Sequence, residues 1–151
     1  MVENRIEDLG FELPEAPKPL AAYIPALVVD KLVFTAGQLP MEKGKLNIVG
    51  KLGAEVSDEK GRIAAEICAL NCLSVIKSVI DDLDRIERVV KLTVFVNSAT
   101  GFTGQPNIAN GASELIGKIF GDKGKHVRSA VGVNELPLNS PVEIEMIVRV
   151  K

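Results

Sequence analysis

The chain has 151 residues, 46% apolar and 25% charged, which suits one ordinary globular domain with a full hydrophobic core. Its net charge of −2 argues against the bulk basic face that nucleic acid usually requires. No stretch of about 18 apolar residues announces a membrane span, and Met1–Gly10, with Glu3, Glu7 and Asp8 and no apolar region, does not read as a secretory signal.

Residues 1–151 read as a single domain, of which 1–25 form a proline-rich extended N-terminal segment. Four prolines fall between Leu13 and Pro25 (Pro14, Pro17, Pro19 and Pro25), a density that forbids regular helix and predicts a surface path. Ala26–Val29 and Leu32–Ala36 are short apolar runs around Asp30-Lys31 and predict a β-hairpin. Gly37-Gln38-Leu39-Pro40 ends it, and 41–58 is polar, broken by Gly44, Gly50 and Gly53.

Gly61–Asp81 is the clearest helix. Ala65, Ala69, Cys72, Ile76 and Val79 recur at helical spacing, Arg62, Glu66, Ser74, Lys77 and Asp81 form the predicted solvated face, and Ser57 is a plausible start. Ile86–Val96 alternates as a strand, with Val90, Leu92, Val94 and Val96 opposed to Val89, Lys91, Thr93 and Phe95. Pro106–Phe120 predicts a second helix, with Ile108, Ala112, Leu115 and Ile119 buried and Gly121 as terminator. Val127–Val133 and Val142–Val150 predict two closing strands.

The resulting order ββ-α-β-α-ββ is an α+β domain with two helices packed on one face of a sheet. Val142, Ile144, Met146, Val148 and Val150 make a wholly apolar face for the helices. The other face mixes Phe95, Ile147 and Val89 with charges, too apolar to be bare and too polar for a core. Another copy of the same chain is the expected cover.

Arg128 is flanked on its own strand face by Ala130 and Gly132, small neighbours that leave room for a ligand. A guanidinium matches a carboxylate or phosphate with two parallel donors. Glu143 lies on the mixed face of the last strand, and would share a cleft with Arg128 if the strands are near neighbours. On spacing alone, a ligand site and a structural Arg–Glu pair at a subunit interface both remain open.

A resemblance bears on that choice. His126-Val127-Arg128-Ser129-Ala130-Val131-Gly132-Val133, then Leu136-Pro137 and Val142-Glu143-Ile144-Glu145, resembles the C-terminal motif of the RidA family, the YjgF-like reactive-intermediate deaminases also called the endoribonuclease L-PSP family. Phe34-Thr35-Ala36-Gly37-Gln38-Leu39-Pro40 is similar to the family's Ser-Gly-Gln-hydrophobic-Pro turn, Val94-Phe95-Val96 to its central strand, and Asn110 to the residue opening its second helix. Tyr23 follows a proline-rich lead as in the family.

The resemblance runs from about residue 19 to 151. It implies a chorismate-mutase-like fold with a mixed sheet, a homotrimer with clefts between subunits, and hydrolysis of 2-imino acids of the 2-aminoacrylate type to 2-keto acids and ammonia; a cytoplasmic location is expected instead from the two cysteines of one helical pattern. No cofactor and no metal are implied. Arg128 would hold the substrate carboxylate, Glu143 would orient or activate water, the Gly37 N–H would help hold the ligand, and Tyr23 and Asn110 would line the cleft. The chain departs from the pattern at Ala130, where many members carry Cys, at Ala36, where Ser or Thr is usual, and in a longer 41–58 loop and N-terminal segment. It looks like a divergent branch.

Other features read plainly. Cys68 and Cys72 sit in one helical pattern, as core residues of a protein from a reducing compartment; zinc would need two more ligands, and His126 is the only histidine. His126 reads as an edge residue, Gly101, Gly104 and Gly111 as turn and packing residues, and Asp81-Asp82-Leu83-Asp84 as a solvated helix end. Two other functions compete with deamination: a non-catalytic module that binds small carboxylates, and an endoribonuclease or translation inhibitor. The latter is opposed by the charge and by aromatic content of one Tyr and no Trp.

Overall fold

The computed structural model describes residues 1–17 and 22–151, so the expectation for Pro19 falls outside it. The N-terminal segment is not extended throughout. Val2–Asp8 is a helix, α1. Seven residues cannot sustain a helix alone; tertiary contacts hold this one. Ile6 is fully buried, the Val2 N–H donates to Asp84 Oδ1 at 2.7 Å, Glu3 pairs with Lys77 at 2.9 Å, and Arg5 donates to the Ile119 carbonyl at 3.1 Å. The acidic turn after the long helix therefore receives α1 rather than only solvent. Phe11, Leu13 and Ala16 of the irregular stretch that follows pack against the core.

β1 (Ala26–Val29) and β2 (Leu32–Thr35) form the expected hairpin, with Asp30 at φ 53° in the turn. A second, unexpected hairpin joins β3 (Met41–Glu42) to β4 (Lys45–Leu46). Lys43 and Gly44 both take positive φ, 49° and 79°, which suits the twist of a two-residue turn.

α2 spans Asp58–Ile80. Its cap is Ser57, whose hydroxyl accepts from the Lys60 N–H at 3.2 Å, worth about 1 kcal/mol. From Cys68 to Ile76 every residue is buried. Ser74, expected in solvent, donates to the Pro14 carbonyl at 2.7 Å, and Asn71 donates to the carbonyls of Leu39 and Met41. The segments before β1 and after β2 thus cover the outer side of α2, and Val79, beyond their reach, is exposed. By length and composition α2 could cross a membrane, a property the sequence reading missed, yet 67% of its most apolar window is buried, as in a core helix.

β5 (Ile86–Asn97), α3 (Gln105–Phe120), β6 (Val127–Val133) and β7 (Val142–Val150) complete the chain. The five-stranded sheet has the order β1-β2-β7-β5-β6, with β5 and β6 parallel and the other pairs antiparallel. α2 and α3 cover one face. Gly111 permits their close crossing, since a methyl group there would run into the Arg62 backbone. The register between β5 and β7 is irregular between Val89 and Lys91, and this β-bulge corrects the alternation read from sequence. Val89 turns into the core at 0% exposure instead of joining the open face.

A candidate carboxylate site divided between two surfaces

Arg128 pairs with Leu92, so its side chain lies on the helix-covered face, at the edge strand β6. Pro106, Asn110 and Ser113 share one face of α3 at four- and three-residue spacing. All three take hydrogen bonds from the guanidinium. Nη1 donates to Asn110 Oδ1 at 2.8 Å and Ser113 Oγ at 3.0 Å, and Nη2 donates to the Pro106 carbonyl at 3.4 Å. Of the five guanidinium N–H groups, the partners among the described residues leave Nε–H and one on Nη2, enough for the two oxygens of one carboxylate. A cleft of about 550 Å³ opens beside it, lined by Ser113, Gly117, Gly121, Lys125 and His126 among others. Room is left on one side only. The space beside Gly132 is filled by Gln105 Nε2 and Ser98 Oγ, contrary to the expectation of two vacant neighbours.

Glu143 pairs with Phe95 and therefore lies on the opposite, open face. Strand β5 stands between β6 and β7. Two strand spacings across and three residues along the sheet separate Arg128 from Glu143 by about 14 Å between Cα atoms. Within one chain they do not share a cleft.

Glu143 has a different neighbour. The Gln38 N–H donates to the Ile144 carbonyl at 2.7 Å and the Ile144 N–H returns a bond to Gln38 at 3.0 Å. This bridge sets Gly37 directly against the Glu143 carboxyl, where any side chain at 37 would collide with Oε1. Partial burial, and then the nearby Glu145, push the Glu143 carboxyl above its ordinary value of 4.5. It takes up a proton more readily than a free glutamate. Tyr23 is 54% exposed just ahead of β1, at the sheet edge opposite β6.

The predicted residues thus fall into two groups: Arg128 with Asn110 on the helix-side edge, and Gly37 with Glu143 on the open face. Ser113, not singled out from the sequence, belongs to the first. His126 is no mere edge residue, since its Nε2 lies 2.9 Å from Ser113 Oγ and its Nδ1 lies 2.6 Å from the Gly124 carbonyl. Cys68 and Cys72 are fully buried, with sulfurs directed at the Val142 and Ile144 carbonyls; burial pushes the Cys72 thiol up to about 12 and the Cys68 thiol well up. Among the described residues no three His, Cys, Asp or Glu side chains gather as metal ligands.

The fold and these motifs have counterparts. Residues 3–149 match the family described as "YjgF/chorismate mutase-like, putative endoribonuclease". The chain belongs to the YjgF family. It is 41% identical to protein TCP17 of Trypanosoma cruzi over 148 residues, 97% of this chain and 92% of that protein. The crystal structure of Atu1372 from Agrobacterium tumefaciens superposes with a TM-score of 0.94 at 42% identity, covering 99% of this chain and 92% of that one. A structure from Shewanella oneidensis, titled a "putative endoribonuclease", gives 0.95 at 31% identity and 99% coverage of both chains. The mixed sheet with its two helices is the YjgF/chorismate-mutase-like fold.

Proposed function

We propose that this YjgF-family protein hydrolyses 2-imino acids, in tautomeric exchange with enamines of the 2-aminoacrylate type, to 2-keto acids and ammonia. Its site is completed between copies of the chain. The observation that carries the reading is the division of the candidate residues. Arg128 offers two unspent donors on one surface, and a glutamate of raised proton affinity stands beside Gly37 on another. Each group lacks what the other has.

A second copy that sets its open face against the β6 edge would unite them. The open face suits such a contact: Leu27, Val29, Phe34 and Val131 are exposed on it, and Phe95 and Ile147 are only half-buried. The two contact surfaces differ, so the association is head-to-tail and must close as a ring; a homotrimer is the smallest such ring beyond a pair.

In the joined site Arg128 holds the substrate carboxylate, which removes most of the entropic cost of placing the imine carbon. The Gly37 N–H and Asn110 help to fix the ligand, and Tyr23 of a neighbouring copy lines the cleft. Glu143 takes a proton from water as the oxygen attacks that carbon and returns it to the nitrogen, giving a carbinolamine; it then carries the carbinolamine's hydroxyl proton to the nitrogen as the C–N bond breaks, ammonia leaves and the ketone forms. The raised proton affinity of Glu143 suits both halves of this exchange. The chemistry needs no resident cofactor or metal.

A non-catalytic carboxylate-binding module is the second reading, favoured by the fact that the Arg128 group is fully assembled within one chain. The family description also names an endoribonuclease, which the net charge of −2 and the single tyrosine do not support. The discriminating experiment generates imino acids in situ with an amino-acid oxidase and follows keto-acid release. Acceleration by the wild type, lost in Arg128→Ala, supports deamination. Binding of 2-oxobutanoate without any acceleration across several imino acids supports the binding module.

A further inference from the structure

We propose that Ser113 and His126 are positioning residues that commit the Arg128 guanidinium to one orientation and one hydrogen-bonding polarity. The proposal rests on the reading of Arg128 as the carboxylate anchor.

His126 Nδ1 lies 2.6 Å from the Gly124 carbonyl oxygen, which can only accept, so Nδ1 carries the ring proton. In a neutral ring Nε2 is then an acceptor, 2.9 Å from Ser113 Oγ. Ser113 has one hydroxyl proton, and it goes to Nε2. Its lone pairs are thereby left to Arg128 Nη1 at 3.0 Å. Donation runs one way along the whole chain, from Arg128 to Ser113, from Ser113 to His126, and from His126 to the Gly124 carbonyl. Bonds aligned in this sense strengthen one another.

The far end of the chain is anchored. Gly124 is buried, and a methyl group there would sit 2.6 Å from the Ile116 carbonyl oxygen. The close packing of Gly124 on α3 fixes the carbonyl that selects the ring tautomer, on the same helix that carries Ser113 and Asn110. A lone serine could either donate or accept. The histidine removes that choice.

The consequence is a guanidinium whose Nη1 is fully spent on Asn110 and Ser113, so that an incoming carboxylate finds only Nε–H and one Nη2–H. Without Ser113, one Nη1 hydrogen is released and the fork can swing. Ligand affinity should suffer more than the chemical step, because neither residue touches the reacting carbon.

The test titrates 2-oxobutanoate by calorimetry and measures kcat and KM for an imino acid in wild type, Ser113→Ala, Ser113→Thr, His126→Ala, the Ser113→Ala/His126→Ala double variant and Arg128→Ala, with thermal melts as folding controls. Ser113→Ala should weaken binding and raise KM about ten-fold, with kcat within about three-fold, since one charge-assisted hydrogen bond is removed. Ser113→Thr should restore affinity, and the double variant should be no weaker than Ser113→Ala, as expected of residues acting in one chain. Nitrogen-15 spectra of the wild type should show His126 protonated on Nδ1.

Unchanged affinity in Ser113→Ala while Arg128→Ala abolishes binding would overturn the positioning role and leave the anchor intact. Additive losses in the double variant, or a proton on Nε2, would overturn it as well. If Arg128→Ala binds as well as wild type, the anchor reading falls and the positioning role with it.

Discussion

Gly37→Ala separates catalytic geometry from stability. Gly37 does not have a left-handed backbone, so alanine can adopt its conformation and keep its N–H. What changes is the space that the Glu143 carboxyl occupies. The new methyl would lie 2.9 Å from Glu143 Cδ and 3.1 Å from Cγ, and closer still to Oε1. The carboxyl is the far end of a half-buried side chain, so it can swing aside. An off-rotamer glutamate costs about 0.5–1.5 kcal/mol, and the stiffer unfolded chain returns about 0.4–1 kcal/mol. The net stability change is therefore within about 1 kcal/mol, a shift of at most about 4 °C in Tm.

Displacing the carboxyl by about 1 Å, in contrast, should cost about 100-fold in turnover. Gly111→Ala provides the opposite control. Its methyl would meet Arg62 backbone atoms, two of them at 2.9 Å, which cannot swing away, so it should destabilise by about 1–3 kcal/mol. The assay pairs urea denaturation with keto-acid release from imino acids generated in situ. Full turnover in Gly37→Ala, or a loss of turnover matched by a stability loss as large as that of Gly111→Ala, would refute the assignment of Gly37 and Glu143 to the site.

The Glu143 carboxyl binds its proton more tightly folded than at its ordinary value of 4.5, so the folded chain loses stability from this group as pH rises through the folded-state value, and the contribution is complete below 4.5. Glu143→Gln should match wild type in denaturant midpoint near pH 4 and exceed it at neutral pH; equal differences at both would contradict the burial argument. Cys68 and Cys72 should resist iodoacetamide at pH 8 in the native protein and react once it unfolds, because both thiols are held protonated and out of solvent. Alkylation of native protein within minutes would show that the helix core opens.

The strands of the five-stranded sheet and both long helices are legible in the sequence from their apolar patterns: every second residue from Val142 to Val150 is apolar, and Ile108, Ala112, Leu115 and Ile119 repeat at helical spacing, whereas the two-residue strands β3 and β4 are too short to carry a period. α1 is not legible, since a helix of seven residues with one buried side chain has no local reason to form; Asp84, Lys77 and the Ile119 carbonyl supply it from far along the chain. The side of the sheet that Val89 takes is not legible, because a bulge resets a two-residue period without any mark in composition.

For the site, sequence shows which strand face Arg128 and Glu143 occupy, but not that β5 lies between their strands. Faces on different strands become comparable only once the pairing register is known, and the register sets the two residues on opposite sides. The place of Ser113 in the site is not legible, because a serine on the polar side of a helix looks solvated until the β6 edge is set beside it. The signal that could have found it is its place three residues after Asn110.

The central claim, that the site joins Arg128 of one copy to Glu143 of the next, is tested most directly by complementation. Arg128→Ala and Glu143→Gln are each expected to be inactive alone. Co-expressed in equal amounts, they form mixed rings, and each mixed trimer holds one site with both native residues. Activity should then recover to about a quarter of wild type. Mixed rings that form, as shown by differential tagging, yet stay as inactive as either parent would contradict the account.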